Sequence, residues 1–369
     1  MNPLTTAPGE TGRTSHNVPT GTMKAVLKTK AGPGVEIREV PIPHVGPGQL
    51  LLKVLRAGIC GTDLHIYEWD AWSQNRIKPP VIIGHEFVGE IVALGPGVTE
   101  FEVGERVSFE SHIICEHCSA CRSGHGHVCE NTRILGVDVH GGFAEYAVAP
   151  AVNAWRAPAN VPLEVQAVME PLGNAVHTAF SGNLSACRIA VTGCGPIGLF
   201  AIGVARAAGA CQVIASDVAP YRLELARKMK ADAVIDVSKE DFVRRVMELT
   251  EGRGLDGVLE MSGNGRAIRD GLAALRNGGR LSLLGLPREN FDLDWNNLLI
   301  FKGITLHGIV GRRMYETWYQ MDNLLRSGRL DVRPAITHVM PMEKVSEAIE
   351  LLRSGNAGKI ALVPWGQEA

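Results

Sequence analysis

The chain has 369 residues, 45% hydrophobic and 21% charged, with 37 Lys and Arg against 39 Asp and Glu for a net charge of -2. This length suits two domains with ordinary globular cores, and the even charge balance excludes a broad electrostatic surface for nucleic acid or anionic membrane. No apolar run approaches the roughly 20 residues needed to span a bilayer.

In chain order, residues 1–22 are rich in Thr, Pro, Gly and Asn and lack the apolar core of a secretory signal. They read as a disordered tail before a first strand at 23–28. A cytoplasmic location follows, and in that reducing setting the eight cysteines are expected to be metal ligands or core residues, not disulfides. From 24 to about 150, short β-like runs at 50–57, 81–94, 106–110 and 143–148 are separated by Gly and Pro clusters. That is the pattern of a small all-β barrel. A helix at 315–327 and a strand at 359–363 are expected to return and complete this first domain, which leaves the functional cleft between domains.

Two segments of the barrel concentrate chemistry: Cys60-Gly61-Thr62-Asp63-Leu64-His65 and Gly84-His85-Glu86. A thiolate, imidazoles and a carboxylate form a zinc ligand set, and three protein ligands with a fourth position open mark a catalytic site, not a structural one. A second group, Cys115, Cys118, Cys121 and Cys129, lies in a lobe at 110–132 with the spacing C-x2-C-x2-C-x7-C. Four thiolates on a short loop can close a tetrahedron around zinc and order a segment with little apolar content. The bacterial ferredoxin run needs three residues before its last Cys and a Pro after it; here Glu130 follows Cys129, so zinc is favoured over an iron–sulfur cluster.

The second half alternates strand and helix. A strand at 188–192 runs into Gly193-Cys194-Gly195-Pro196-Ile197-Gly198 and then a helix, the G-x-G-x-x-G fingerprint in strand–turn–helix context. The glycines permit the tight turn, the approach of backbone to pyrophosphate and close helix–strand packing, and the helix N-terminus offers free N–H groups to phosphate. Asp217 ends the next strand, placed to accept from ribose hydroxyls and to repel a 2′-phosphate, so NAD is expected over NADP. Arg222 is read as packing beside the adenine ribose. Helices at 221–230, 240–250 and 267–277 alternate with strands at 233–237, 256–261 and 279–286, and a strand at 304–309 makes six. This implies a doubly wound parallel sheet with ligand over its C-terminal strand ends, where Leu284, Gly285 and Leu286 are candidates for the nicotinamide side.

In this order the motifs resemble those of the zinc-dependent medium-chain alcohol dehydrogenases, from Met23 nearly to the C-terminus. Within that family the segments Cys60 to Asp70, Trp72-Ser73-Gln74, Phe143-Ala144-Glu145-Tyr146, Glu170-Pro171-Leu172-Gly173-Asn174-Ala175-Val176-His177 and Gly308-Ile309-Val310-Gly311-Arg312 are most similar to the threonine-oxidising branch. The resemblance implies an α/β protein: a GroES-like β-barrel catalytic domain at 23–175 and 311–369, and a Rossmann NAD-binding domain at 176–310. It implies Cys60, His85 and Glu86 as catalytic zinc ligands, with Glu86 nearly as well read as a group orienting His85 or an arginine, and Glu170 approaching the metal or relaying protons through water. Thr62 and His65, aimed inward by a loop, would relay a proton with the cofactor ribose. Ile309 and Val310 would complete the nicotinamide contacts. Two zinc ions per chain, NAD, L-threonine as substrate, a homotetramer built on the sheet edge near 281–309, and a functional link to a CoA-dependent ligase are the further implications. The rival readings are a polyol or 2,3-butanediol dehydrogenase and a non-catalytic NAD-binding protein on the same scaffold.

Overall fold

A computed structural model describes residues 18–367. Most of the tail expected at 1–22 lies outside the described residues, and the first strand begins at Thr22. The central sheet of the second domain has six strands in the order Ala233–Asp236, Gln212–Asp217, Arg188–Thr192, Leu255–Glu260, Leu275–Leu283, Thr305–Gly308, and every pairing is parallel. The chain leaves Arg188–Thr192 in one direction and resumes on its other side with Leu255–Glu260. That reversal opens a crevice at the C-terminal strand ends, where ligands bind in such sheets.

The barrel domain is built on a seven-stranded sheet whose long strands Gln49–Gly58 and Glu86–Leu94 pair antiparallel. The last strand, Lys359–Val363, pairs with Gln49–Gly58 through Ala361 and Leu362, so the chain terminus returns to the first domain. Between the domains, helix Met169–Phe180 buries Met169, Leu172 and Val176 in one core with Leu199 and Phe200 of helix Pro196–Ala207 and Trp318 of helix Glu316–Arg326. One helix therefore carries Glu170 on a support shared by both halves.

Three sequence expectations need correction. The segment carrying Thr62 and His65 is a helix, Gly61–Glu68, not a loop: Asp63 accepts from the Cys60 backbone N at 2.9 Å and closes a reciprocal cap with the Cys60 side chain. The run at 81–94 is two strands, Val81–Ile82 and Glu86–Leu94. Gly84 turns the chain between them at φ +89°, pressed against the Phe143 ring, and so sets His85 in a bend. The helix expected at 267–277 is Gly265–Ala274, and the strand starts at Leu275, because Leu275 registers with Leu255 and the Gly278 N–H is taken by the Lys302 carbonyl at 2.7 Å. Sheet register, which helical periodicity does not encode, decides that boundary.

A methyl group at Gly84 would overlap the Phe143 ring at a backbone angle that disfavours any side chain. Gly84→Ala is expected to lower unfolding free energy by about 1–3 kcal/mol, read as a shift of the urea midpoint, together with loss of bound metal; an unchanged midpoint would contradict the fit described.

Candidate functional site

Cys60 caps its helix at the end of the long barrel strand, and His85 and Glu86 lie on either side of the start of the neighbouring one. One donor atom from each of Cys60, His85 and Glu86 lies within 4.8 Å of the others. His85 is 5% exposed and Glu86 and Asp63 are fully buried. His85 Nδ1 and Asp63 Oδ1, 4.0 Å apart, are buried without hydrogen-bond partners. Burial alone would push the His85 pKa down, but the Cys60 thiol, Asp63 and Glu170 outweigh it and lift it to about 10. A soft thiolate, an imidazole and a carboxylate converging in a strongly anionic pocket fit zinc.

A residue that sequence reasoning did not find stands behind Glu86. Lys359, itself buried, donates to Glu86 Oε1 at 2.6 Å and to the Ile59 carbonyl at 2.7 Å, and its ammonium also lies against Oε2. Burial lowers the Lys359 pKa, but the Glu86 and Cys60 charges override it and hold the ammonium protonated above its usual range. Glu86 thus belongs to the trio and to an ion pair at once. The available signal was a lysine heading the otherwise apolar strand Lys359–Val363.

Glu170 lies outside the trio. Its Oε1 accepts from Ser111 Oγ at 2.6 Å and forms an ion pair with Arg312 Nη1 at 2.7 Å. The buried Arg312 guanidinium also donates to Glu110, through Nε at 2.7 Å, and to Asn174 Oδ1 at 2.9 Å, and Glu110 accepts from Trp318 Nε1 at 2.9 Å. Burial would raise the Glu110 and Glu170 pKa values, but Arg312 holds both below the ordinary carboxylate range. His177 is a structural partner here, its Nδ1 bonded to the Gly311 carbonyl at 2.9 Å.

Thr62 and His65 stand one helical turn apart. Thr62 Oγ1 is 3.8 Å from Cys60 Sγ, and His65 Nδ1 is 2.7 Å from Asp70 Oδ2. The pair therefore leads from the half-buried thiol to a half-exposed imidazole.

In the cysteine lobe all four thiols are free. Cys129 Sγ lies 3.5 Å from Cys115 Sγ and 3.9 Å from Cys118 Sγ. A tetrahedron with Zn–S bonds of about 2.3 Å has edges of about 3.8 Å, so the spacing suits a zinc ion. Backbone N–H groups of Cys118, Cys121 and Asn131 point at Cys115, Cys118 and Cys129 Sγ at 3.3–3.5 Å, as donors to thiolates do.

Over the crevice of the parallel sheet lies a cavity of about 480 Å³ lined by Gly193, Gly195, Asp217, Arg222 and Arg266 among others. The Gly195 Cβ position is open, and its helix has no side-chain cap, so first-turn N–H groups are free for an anion. Gly198 abuts the Gly193 carbonyl so closely that a side chain would not fit. Ile197 is half-buried beside them. Asp217 accepts from the Cys194 N at 2.7 Å and the Ala219 N at 2.9 Å, one bond per oxygen. Arg222 Nε is buried with no hydrogen-bond partner. Leu284, Gly285 and Leu286 follow strand Leu275–Leu283, and Ile309 and Val310 follow Thr305–Gly308; the Ile309 N–H bonds the Leu283 carbonyl at 2.9 Å, which ties the two segments together. Beneath them the buried Glu260, also missed from sequence, accepts from the Ser262 N at 2.9 Å and the Gly263 N at 3.1 Å and braces that strand end.

Known families match both halves. Residues 46–159 match the alcohol dehydrogenase GroES-like domain and residues 196–327 the zinc-binding dehydrogenase domain. The chain belongs to the zinc-binding alcohol dehydrogenase family. Among relatives of this dehydrogenase, an L-threonine 3-dehydrogenase from Symbiobacterium thermophilum is 53% identical over 344 residues, 93% of this chain and 98% of that protein. The L-threonine 3-dehydrogenase from Pyrococcus horikoshii is 52% identical over 92% of this chain and 98% of its own length. Among solved structures, a zinc-binding dehydrogenase from Sinorhizobium meliloti bound to NADP superposes with a TM-score of 0.87 at 28% identity, covering 93% of this chain and all of that one. Among the described residues no helix is long and apolar enough to cross a membrane.

If the four thiolates hold a zinc that orders the lobe, Cys118→Ser is expected to lower the metal content by one zinc per chain and to reduce folded yield, measured by elemental analysis of purified protein; an unchanged zinc content would remove the assignment.

Proposed function

We propose that the protein is an L-threonine 3-dehydrogenase, oxidising the substrate 3-hydroxyl to L-2-amino-3-oxobutanoate with NAD as acceptor. The substrate reading is carried by near-full-length identity of 53% to a protein of that name. The chemistry is supported by the convergence of Cys60, His85 and Glu86 next to Thr62 and His65. Cys60, His85 and Glu86 would hold a zinc, and a zinc and a nicotinamide bound there would supply a Lewis acid that lowers the pKa of the hydroxyl and an acceptor for the hydride.

The chain's own residues do the rest. Thr62 Oγ1, next to the thiol, takes up the hydroxyl proton in a hydrogen-bonded chain, and His65 carries it to the half-exposed mouth of the site. Glu170, clamped by Arg312 and Ser111, holds negative charge beside His85 without entering the trio. Free N–H groups at the start of helix Pro196–Ala207 receive the dinucleotide phosphates. Each Asp217 oxygen keeps a lone pair for a ribose hydroxyl, and its charge disfavours a 2′-phosphate, which supports NAD over NADP.

The same reading extends to the whole chain. We assign it two zinc ions, a catalytic domain at 23–175 and 311–369 around a Rossmann domain at 176–310, and a cytoplasmic location in keeping with its eight free thiols. The β-keto acid product decarboxylates readily, which favours transfer to a CoA-dependent ligase. Strand Thr305–Gly308 lies at the sheet edge, and Leu286, Trp295, Ile300 and Phe301 are exposed along the chain segments flanking it. An uncovered edge and an apolar patch mark an assembly surface, and we place a tetramer interface there.

Two measurements decide these readings. With zinc and NAD supplied, reduction of NAD is expected with L-threonine and at a small fraction of that rate with sorbitol or 2,3-butanediol; fast turnover of a polyol with none of threonine would overturn the substrate. Phe301→Asp is expected to shift the mass found by light scattering from a tetramer to a smaller species, and a wild-type protein that is monomeric would remove the interface.

A further inference from the structure

The relay proposed above ends on an imidazole that is half open to solvent, and an exposed ring of that kind has no intrinsic reason to present one nitrogen to the site. The chain places a carboxylate to settle this. Helix Gly61–Glu68 stops at Trp69, which adopts a left-handed conformation at φ 59° with its N–H bonded to the His65 carbonyl at 3.0 Å. The Lys28 ammonium lies 4.8 Å from the centre of the Trp69 ring, and Gln74 Nε2 donates to the Trp69 carbonyl at 2.8 Å. That pinned turn delivers Asp70 as the N-cap residue immediately before the next helical segment, Ala71–Arg76. The two carboxylate oxygens then divide their work. Oδ1 accepts from the Ser73 N at 3.0 Å and caps that segment, and Oδ2 meets His65 Nδ1 at 2.7 Å. The Trp72 ring, 6.2 Å from that of His65, walls the imidazole on another side.

We propose that Asp70 is a positioning residue for the dehydrogenase reaction, fixing His65 with its proton on Nδ1 so that Nε2 is the atom that accepts the substrate-derived proton. The inference rests on the relay reading and adds a residue to it. An ionised carboxylate only accepts hydrogen bonds, so the bond to Oδ2 requires hydrogen on Nδ1 and leaves the Nε2 lone pair free. Burial works against ionisation of Asp70, but the Ser73 N–H and His65 outweigh it and hold the carboxyl below its ordinary range. When Nε2 takes a proton, the resulting imidazolium faces a carboxylate already in place, and Nε2 then releases the same proton to water, so the pair returns to its starting state. The contact cannot be explained as a stabilising device, because side chains 48% and 35% exposed gain little from an ion pair; its value is orientation.

Asp70→Asn tests this cleanly, since Asn caps a helix as well as Asp while the charge is removed. Asp70→Ser, which also caps, guards against a folding artefact in the first variant. For both, kcat for threonine is expected to fall by about 10- to 100-fold, as for loss of other groups that orient a reacting side chain, with KM for NAD changed less than about twofold, and Asp70→Glu to recover part of the loss. The double variant Asp70→Asn/His65→Asn is expected to be no slower than His65→Asn alone, because the carboxylate acts through the imidazole. Full activity in His65→Asn would overturn the relay itself. An impaired His65→Asn beside a fully active Asp70→Asn, or losses that multiply in the double variant, would overturn the role of Asp70 and leave the relay standing.

Discussion

Two buried cations, Lys359 and Arg312, are set against three buried carboxylates, Glu86, Glu110 and Glu170. Removing one partner of such a buried pair costs about 3–5 kcal/mol, so the five groups are strongly interdependent. They come from five separate parts of the chain: the returning C-terminal strand, the segment that leaves the parallel sheet, two barrel strands or their ends, and the helix between the domains. The pairs that balance charge around the candidate metal pocket are thus the same pairs that tie the segment leaving the parallel sheet and the chain terminus to the barrel. Arg312 shows this most directly, as it follows the end of strand Thr305–Gly308 by four positions while pairing with Glu170.

This arrangement gives the site a graded character. Its deep end holds the buried His85 and Glu86 beside the half-buried Cys60, with Glu86 fixed by its ion pair to Lys359. Its outer end, Thr62, His65 and Asp70, lies on a short helix and the turn that follows it, where water can enter and carry protons away. Catalytic centres that must both exclude solvent from the reacting carbon and exchange a proton with it need such a gradient. Helix Met169–Phe180 shares one core with helix Pro196–Ala207, which begins at the glycine fingerprint, so Glu170 and the crevice are built on packed neighbours.

The motifs were legible because each makes a local demand that only certain residues meet. Gly195 and Gly198 leave space for a phosphate and for helix–strand contact, four cysteines at short spacing have few uses other than metal, and Cys60 and His85 announce a ligand set by type alone. The elements of the parallel sheet were legible for a similar reason, since strand and helix alternate with distinct periods. Local signals failed where distant partners decide. Cys60 is not among the usual capping residues, so the helix after it looked like a loop until Asp63 closed the cap. Leu275 read as helical and became a strand because Leu255 lies opposite it.

By itself the sequence determined the family, the two-domain plan, both candidate metal sets and the dinucleotide fingerprint, because these depend on residue type and short spacing. Only the tertiary structure decided who neutralises whom: Lys359 behind Glu86 across 273 residues, Arg312 between Glu110 and Glu170, Asp70 behind His65 at the turn. A charge carries no mark of its partner along the chain. The pairing is set when folding removes water from all of them at once and leaves each only the neighbours the packing supplies.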